Sequence, residues 1–503
     1  MPVFVNREAE LAAVQRALDS DQAELVIVYG RRGAGKSELL VRAMDGRAGI
    51  YYQATTEVMA QQLSDLGAEA RRVAGGRMIV GQFSSIGMFL DSMAALAQAA
   101  PDRPFPLVID EFPYLAEAEQ GVETALQRWW DRSRRAVPNL KVFLAGSQVS
   151  WMREHTLAEH GPLQNRRTGQ IEILPLTYRH AALLYPRLDL TDRIRAYGVW
   201  GGLPGYLREL QSPENLWDAV ARSILRPEAR LAVEPDWLRF TDLRADRLYT
   251  SIIRAVAMGA GRPSDIARAV GRTGAADMAP PLSRLIEAGV ITRATALTAH
   301  DTGKARARYE IADPFLAFWY RFIDPRRGLI RRVRTMTHAA EIAAEIAAEI
   351  DDYIARYVFE GICREWVWDA AARGVLPEAI RLGEVGTWWS GREEKQDELD
   401  VVALSPGRQG ILYGECKWSA APMDMRDLGG LRAAIAAASH DIPLIDRPWR
   451  ALFSRSGFHL DLQAEAAIPE NRILLIGLDL LYGEREVRDA LPKRAQAQQG
   501  DAP

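Results

Sequence analysis

Glu24-Leu25-Val26-Ile27-Val28-Tyr29 runs directly into Gly30-Arg31-Arg32-Gly33-Ala34-Gly35-Lys36-Ser37, then into the helix-forming stretch from Glu38 to Ala43. The first six residues are mostly apolar and rich in β-branched side chains, the composition of a parallel strand buried on both faces. The next eight fit G-x-x-x-x-G-K-[ST] between a strand and a helix, the setting that the pattern requires. Glycines at 30, 33 and 35 let successive backbone N–H groups curl around a phosphate, and the helix N-terminus adds the positive end of its dipole. Lys36 is then placed for the β- and γ-phosphates, and the Ser37 hydroxyl for Mg²⁺. This stretch sets the fold class as α/β with a P-loop nucleotide-binding core, and ATP with Mg²⁺ as the expected ligands.

Two further apolar runs belong to the same sheet. Pro106-Leu107-Val108-Ile109-Asp110-Glu111-Phe112 is a buried strand ending in two acids. Open α/β sheets bind ligands at strand C-termini. There Asp110 would hold Mg²⁺ through water, and Glu111 would polarise the attacking water. Val142-Phe143-Leu144-Ala145-Gly146-Ser147 ends in a small polar residue suited to sensing a γ-phosphate, with Gln148 next to it. Asn165-Arg166-Arg167-Thr168-Gly169 precedes the run Ile171 to Leu174. Arg166 or Arg167 could serve as an arginine finger; a solvated pair would read the same. A finger acting in trans would imply a homo-oligomer, and one acting in cis would not.

These motifs occur in the order Phe4-Val5-Asn6-Arg7-Glu8, phosphate loop, LVIDEF, LAGSQ, Arg-Arg-Thr-Gly, then Gly201-Gly202-Leu203-Pro204-Gly205-Tyr206-Leu207. Over about residues 3–230 the chain resembles the archaeal-type ATPases, a branch of the AAA+/STAND P-loop NTPases. The resemblance implies that the Asn-Arg-Glu opening lies near the adenine and that Pro204, in the helical lid, packs close to the nucleotide. Asn6 departs from the glycine commoner at its position.

The composition bounds the rest. Of 503 residues, 48% are hydrophobic and 26% charged, which excludes general disorder. A net charge of −3 excludes a polycation that coats nucleic acid, so any basic surface is local. Two cysteines, Cys363 and Cys416, exclude a disulfide scaffold and a four-cysteine zinc site, and they fit a reducing cytoplasm. Met1 to Ala9 has no signal-peptide core, and no run is apolar enough to span a membrane. A cytoplasmic protein is expected.

Residues 241–335 hold 17 Lys and Arg against 9 Asp and Glu, a basic excess in an acidic chain. Gly261 to Gly271 reads as a capped short helix and Met278 to Gly289 as a second. Val290 to Leu297 and Ala305 to Ile311 read as two strands around a polar tip. Helix, helix and hairpin make a winged-helix pattern. A DNA-binding form would offer Arg272, Arg284, Arg293, Lys304, Arg306 or Arg308 to phosphates; a packing module would look alike. The aromatic run from Asp313 to Phe322 (DPFLAFWYRF) fits a core plug better than a base-stacking platform. It also matches a signature that follows the winged helix in archaeal-type ATPases with an extra C-terminal domain. Ala339 to Ile350 repeats Ala-Ala-Glu-Ile three times, a helical connector with Ile342, Ile346 and Ile350 along one side.

Beyond it, Tyr353 to Trp368 reads as a helix containing Glu360. Strands follow at Glu384 to Trp389, Glu398 to Leu404 and Gly410 to Trp418, then a strand followed by a turn over Trp449 to Phe458 and another buried strand at Arg472 to Leu481. Alternation along the third strand sends Glu415 and Lys417 to one face. An Asp on one strand and Glu-x-Lys on the next resemble the restriction-endonuclease-like PD-(D/E)xK fold, over about residues 345–490, without the proline before Asp400. The chemistry suits these residues. Asp400 and Glu415 are hard oxygen ligands for Mg²⁺, and the Cys416 carbonyl offers another oxygen. Lys417 would orient or deprotonate the attacking water. By the resemblance, Glu360 would be an additional metal ligand.

The expected organisation is a P-loop ATPase core over 1–175, a helical lid over 176–240, a winged-helix domain over 241–335, a connector over 336–352, a mixed α/β nuclease-like domain over 353–490 and a polar tail over 491–503. Two functions fit. One is an ATPase that controls a Mg²⁺-dependent nuclease acting on DNA. The other is a nucleotide-switched regulator whose nuclease-like domain grips DNA without cutting it.

Overall fold

The computed structural model describes residues 4–75, 82–157, 161–210, 215–233, 247–298, 307–377, 380–390 and 397–483. Packing divides the chain into two compact units. One holds the residues up to Leu176 together with Leu203–Arg208, and the other holds Thr177–Gly202 and most of the chain beyond Glu209.

The first unit is built on a five-stranded parallel sheet of β1 (Glu24–Tyr29), β2 (Ile50–Gln53), β3 (Phe105–Asp110), β4 (Leu140–Gly146) and β5 (Gly169–Glu172), in the order β2-β3-β4-β1-β5. β1, β3 and β4 are buried almost throughout, as strands covered on both faces must be. Helices α1 (Glu8–Leu18) and α2 (Lys36–Ala43) pack on one face, where Val14, Leu18, Leu39 and Leu40 meet Val26 and Val28. The opposite face carries a larger core with Phe89, Leu126, Trp129 and Trp130. β4 lies between β1 and β3. Its C-terminal end therefore stands between the phosphate loop after β1 and the acids that end β3.

The second unit begins at Thr177 and includes α3 (Leu190–Trp200). It continues through α4 (Arg247–Ala257), α5 (Pro263–Ala269) and α6 (Ala279–Glu287), then an antiparallel pair, β6 (Ile291–Thr295) with β7 (Ala307–Ile311). Lys304, Arg306 and the tail over 491–503 lie outside the described residues. In the aromatic run Phe315, Phe318, Trp319, Tyr320 and Phe322 are all buried, and Tyr353 donates its hydroxyl to the Pro314 carbonyl at 2.8 Å. These rings are core. The connector is α7 (Met336–Ile354), which buries Ile342, Ile346 and Ile350.

A π-helical turn, Ala355–Phe359, leads into α8 (Glu360–Ala372). A mixed sheet follows, of β8 (Glu384–Trp389), β9 (Glu398–Leu404), β10 (Gly410–Lys417), β11 (Leu444–Ser454) and β12 (Ile473–Ile476), in the order β12-β11-β10-β9-β8. β8, β9 and β10 are antiparallel, whereas β10, β11 and β12 run parallel. Helix α9 (Met425–Ala438) starts with a capping box made by Asp424 and Asp427. The strand expected over Arg472 to Leu481 is a correction: β12 ends at Ile476, Gly477 breaks it, and Leu478–Tyr482 is a short helix. A continuous apolar run cannot by itself distinguish a buried strand from a buried helical turn.

Candidate functional site

The first unit holds a cavity of about 440 Å³, lined by Gly33, Gly35, Lys36, Ser37, Glu111 and Pro204 among others. The loop needs its glycines. Gly30 has φ +155°, and a Cβ there would lie 2.3 Å from the Ile173 carbonyl oxygen. Gly35, at φ +98°, has open space where a Cβ would be, which leaves the cradle clear for a phosphate. Lys36 is buried and donates to the Gly30 carbonyl at 2.8 Å and the Arg31 carbonyl at 3.3 Å. Burial lowers its ammonium below the ordinary value, against the opposing pull of Glu111 and Asp110. A phosphate would restore the lost charge balance.

Ser37 donates its hydroxyl to Asp110 at 2.6 Å, so the two expected Mg²⁺ contacts are already in register. Tyr51, on the neighbouring strand β2, donates to the same carboxylate oxygen at 2.5 Å. Glu111 takes a left-handed backbone conformation, φ 52°, at the end of β3. Its carboxylate accepts from the Ser147 hydroxyl at 2.8 Å and the Ser147 amide at 3.0 Å. The strand order makes this contact possible, because β4 is the immediate neighbour of β3.

Pro204 lines the same cavity, and the Gly205 amide donates to the Gly33 carbonyl at 3.0 Å. The lid motif is thereby fastened to the phosphate loop. Asn6 adopts φ +47°, which explains why a glycine suits that position. The Arg7 guanidinium next to it reaches the Ala34 and Leu174 carbonyls. The two arginines considered as fingers are placed elsewhere. Arg166 pairs with Asp131 at 2.8 Å, and Arg167 donates to the Thr156 and Leu157 carbonyls. Neither lines the cavity, whereas Arg32 and Arg208 do.

In the second unit Glu360, Asp400, Glu415 and Lys417 come together where β9 and β10 meet the start of α8. β10 pairs with β9 through Gly414↔Val401, and the Cys416 amide donates to Asp400 at 2.7 Å. Arg364, one turn beyond Glu360, lies 3.6 Å from it and donates to the Asp400 carbonyl at 2.8 Å. Burial, with a smaller opposing effect from the Cys416 amide, pushes Asp400 up to about 6. Burial, then Asp400, pushes Glu415 up to about 7. Burial, then Asp400, raises Glu360 well above the usual carboxylate range. Acids crowded in a poorly solvated site hold protons until a cation replaces them. Lys417 forms an ion pair with Asp427, the first-turn member of the capping box of α9.

Among the described residues, no group of three or more His, Cys, Asp or Glu side chains is gathered closely enough to hold a metal. Asp400 and Glu415 form a pair, and one or two carboxylates completed by water and phosphate oxygens is how proteins usually bind Mg²⁺. The residue types fit that ion. Tyr51, Arg208, Asp427 and Glu398 join these sites without having been singled out from the sequence. Tyr51 and Asp427 carry no motif. Glu398 could have been found, since it lies two residues before Asp400 on the same strand.

Residues 4–210 match the family described as an ATPase domain predominantly from Archaea. Residues 319–428 match a family of archaeal and bacterial proteins of unknown function. An uncharacterized protein of Methanocaldococcus jannaschii is 29% identical over 425 residues, spanning 84% of this chain and 89% of its own. Among solved structures, a Walker-type ATPase of Pyrococcus abyssi aligns with 20% identity and a TM-score of 0.49, over 63% of this chain and 96% of its own. The ORC2 protein of Aeropyrum pernix, solved in ADPNP–ADP complexes, aligns with 15% identity and a TM-score of 0.43, over 69% and 96%. No helix among the described residues is long and apolar enough to cross a membrane.

Proposed function

We propose that this archaeal-type P-loop ATPase couples its nucleotide cycle to a Mg²⁺-dependent phosphodiester-cleaving centre acting on DNA. The ATP half rests on the phosphate loop, with Lys36 set in the cradle and Ser37 joined to Asp110 at 2.6 Å. Lys36 would exchange its loop carbonyls for phosphate oxygens. Ser37 and Asp110 would hold Mg²⁺, which offsets charge on the β- and γ-phosphates. Glu111 would orient the attacking water after leaving Ser147, whose hydroxyl would then be available to the γ-phosphate.

One observation carries the cleavage half: Asp400, Glu415 and Lys417 lie side by side on the paired strands β9 and β10, with Glu360 of α8 near Asp400. Asp400 and Glu415 would hold a divalent ion, which when bound polarises the phosphodiester and acidifies water. Arg364 keeps Glu360 and the Asp400 backbone together. Lys417 would leave Asp427 to position the water. That ion pair also favours a second reading, in which the domain grips DNA without cutting it and nucleotide switches the grip. Incubating the full chain with DNA and RNA of several forms, with Mg²⁺ or Mn²⁺ and with or without ATP, separates the two. Metal-dependent nicking supports the first reading, and binding without nicking under every condition supports the second.

A further inference from the structure

A second cavity, of about 730 Å³, opens in the second unit between α8 and the β6–β7 hairpin, with β8 and β9 as its floor. One of its walls is a stripe. Arg356, Glu360, Arg364 and Trp368 follow one another at four-residue spacing, through the π-helical turn and along α8, and all four line the cleft. Such spacing keeps side chains on one helix face. Trp368 is 46% exposed, the one exposed tryptophan among the described residues.

The opposite wall carries Arg308 of β7 and Arg262 at the start of α5. Arg308 pairs with Glu398 at 2.6 Å and lies 4.4 Å above the Trp389 ring, so Trp389 is already covered. The hairpin is fixed in place. The Leu297 amide donates to the Thr387 carbonyl at 2.9 Å, and the Leu297 side chain enters the core of the mixed sheet.

Acids outnumber arginines in the cleft lining, six to four, and two of the acids are paired from outside it, by Arg408 and Arg268. Glu360 is matched by Arg364, Glu398 by Arg308, Glu384 by Arg408 and Asp265 by Arg268. Glu310 and Glu365 are equalled in number by Arg262 and Arg356, both exposed. A cleft with no basic excess, a bare indole and two exposed guanidiniums does not suit duplex DNA, which is gripped through its phosphates and hides its base faces. It suits a strand whose unpaired bases can stack. Its volume is that of a small-ligand site, too little for a double helix.

We propose that this cleft binds single-stranded nucleic acid, with an unpaired base stacked on Trp368 and the flanking phosphates on Arg356 and Arg262. Glu360 lies within the stripe and close to Asp400, so a seated strand would lie beside the carboxylate pair, which does not itself line the cleft. Its standing as a substrate rests on the cleavage reading; the binding does not.

The test measures fluorescence anisotropy of the full chain with labelled thymine homopolymers of about ten nucleotides, the matching uridine homopolymer and a duplex. EDTA is present so that nothing is cut. Trp368→Ala should weaken single-strand binding about tenfold, Trp368→Phe should retain most of it, and Arg262→Ala with Arg356→Ala should weaken it further. Binding should fall only shallowly with salt, since just the two guanidiniums of Arg262 and Arg356 meet phosphates. ATP binding, unchanged in every variant, confirms folding. Equal binding by the parent and Trp368→Ala, or a parent preference for duplex, overturns the proposal. DNA and uridine arms of equal affinity identify stacking without 2′-hydroxyl recognition, as expected; a uridine-only signal contradicts it. If Trp368-dependent binding persists while the parent never cleaves with Mn²⁺, the cleavage reading falls and the cleft assignment stands.

Discussion

Replacing Glu415 by Gln should stabilise the metal-free chain at pH 8 and leave it nearly unchanged at about pH 4. In the folded chain, burial and then Asp400 move this carboxyl from its ordinary 4.5 up to about 7. An unfolded Glu loses its proton near 4.5, so between the two values the native state binds more protons, and stability falls as pH rises. Each tenfold shift in the proton equilibrium is about 1.4 kcal/mol, which gives an upper bound of about 3 kcal/mol for ionising Glu415 inside the fold. Partial solvation and the shared titration with Asp400 reduce this to about 1–2 kcal/mol. Glutamine has the same shape and no charge. Calorimetry should therefore show the transition of the second unit rising by about 2–6 °C at pH 8, with almost no difference at about pH 4. Adding Mn²⁺ at pH 8 should raise the parent's transition and move the variant's far less. Equal transitions at pH 8, or equal shifts at both pH values, would refute the crowded-carboxylate argument.

Other outcomes follow from the same geometry. Lys36→Ala should weaken binding of a fluorescent ATP analogue by at least about tenfold with circular dichroism unchanged, because the buried cation of the cradle is gone. Glu111→Gln should lower ATP turnover by about a hundredfold or more while ATP binding persists, as measured by phosphate release and filter retention. Gly205→Ala places a Cβ 3.0 Å from the Gly33 Cα and should weaken ATP binding several-fold without unfolding the chain; calorimetric titration reads it. Asp400→Ala and Lys417→Ala should each abolish Mn²⁺-dependent cleavage of DNA, single-stranded forms included, and both should leave ATP hydrolysis intact.

The nucleotide half was legible because its chemistry is local. The strand Glu24–Tyr29, the glycines at 30, 33 and 35, and the acids ending β3 all announce themselves within a few residues. Even Asn6 signalled its backbone, since the glycine it replaces marks a left-handed position. What stayed hidden depends on strand order. Glu111 meets Ser147 only because β4 lies beside β3, and Tyr51 reaches Asp110 only because β2 is the next strand out. Arg166 and Arg167 had the composition of a finger, but Asp131 and two carbonyls hold them, and an ion-pair partner 35 residues away cannot be read from spacing. In the second unit the Asp and Glu-x-Lys pattern was visible. The Arg308–Glu398 contact was not, because it joins the hairpin to a sheet 90 residues later. The helical turn at Leu478–Tyr482 was misread since burial erases the period that separates strand from helix.

On the proposed function, one chain holds two separate divalent-cation sites, one for a nucleoside triphosphate and one for a phosphodiester. Crystals grown with Mn²⁺ and a non-hydrolysable ATP analogue test it most directly through anomalous scattering. The account predicts one peak beside Ser37 and Asp110 and another between Asp400 and Glu415. A peak at the nucleotide alone, with Asp400 and Glu415 free of manganese at saturating concentration and pH 8, would contradict it.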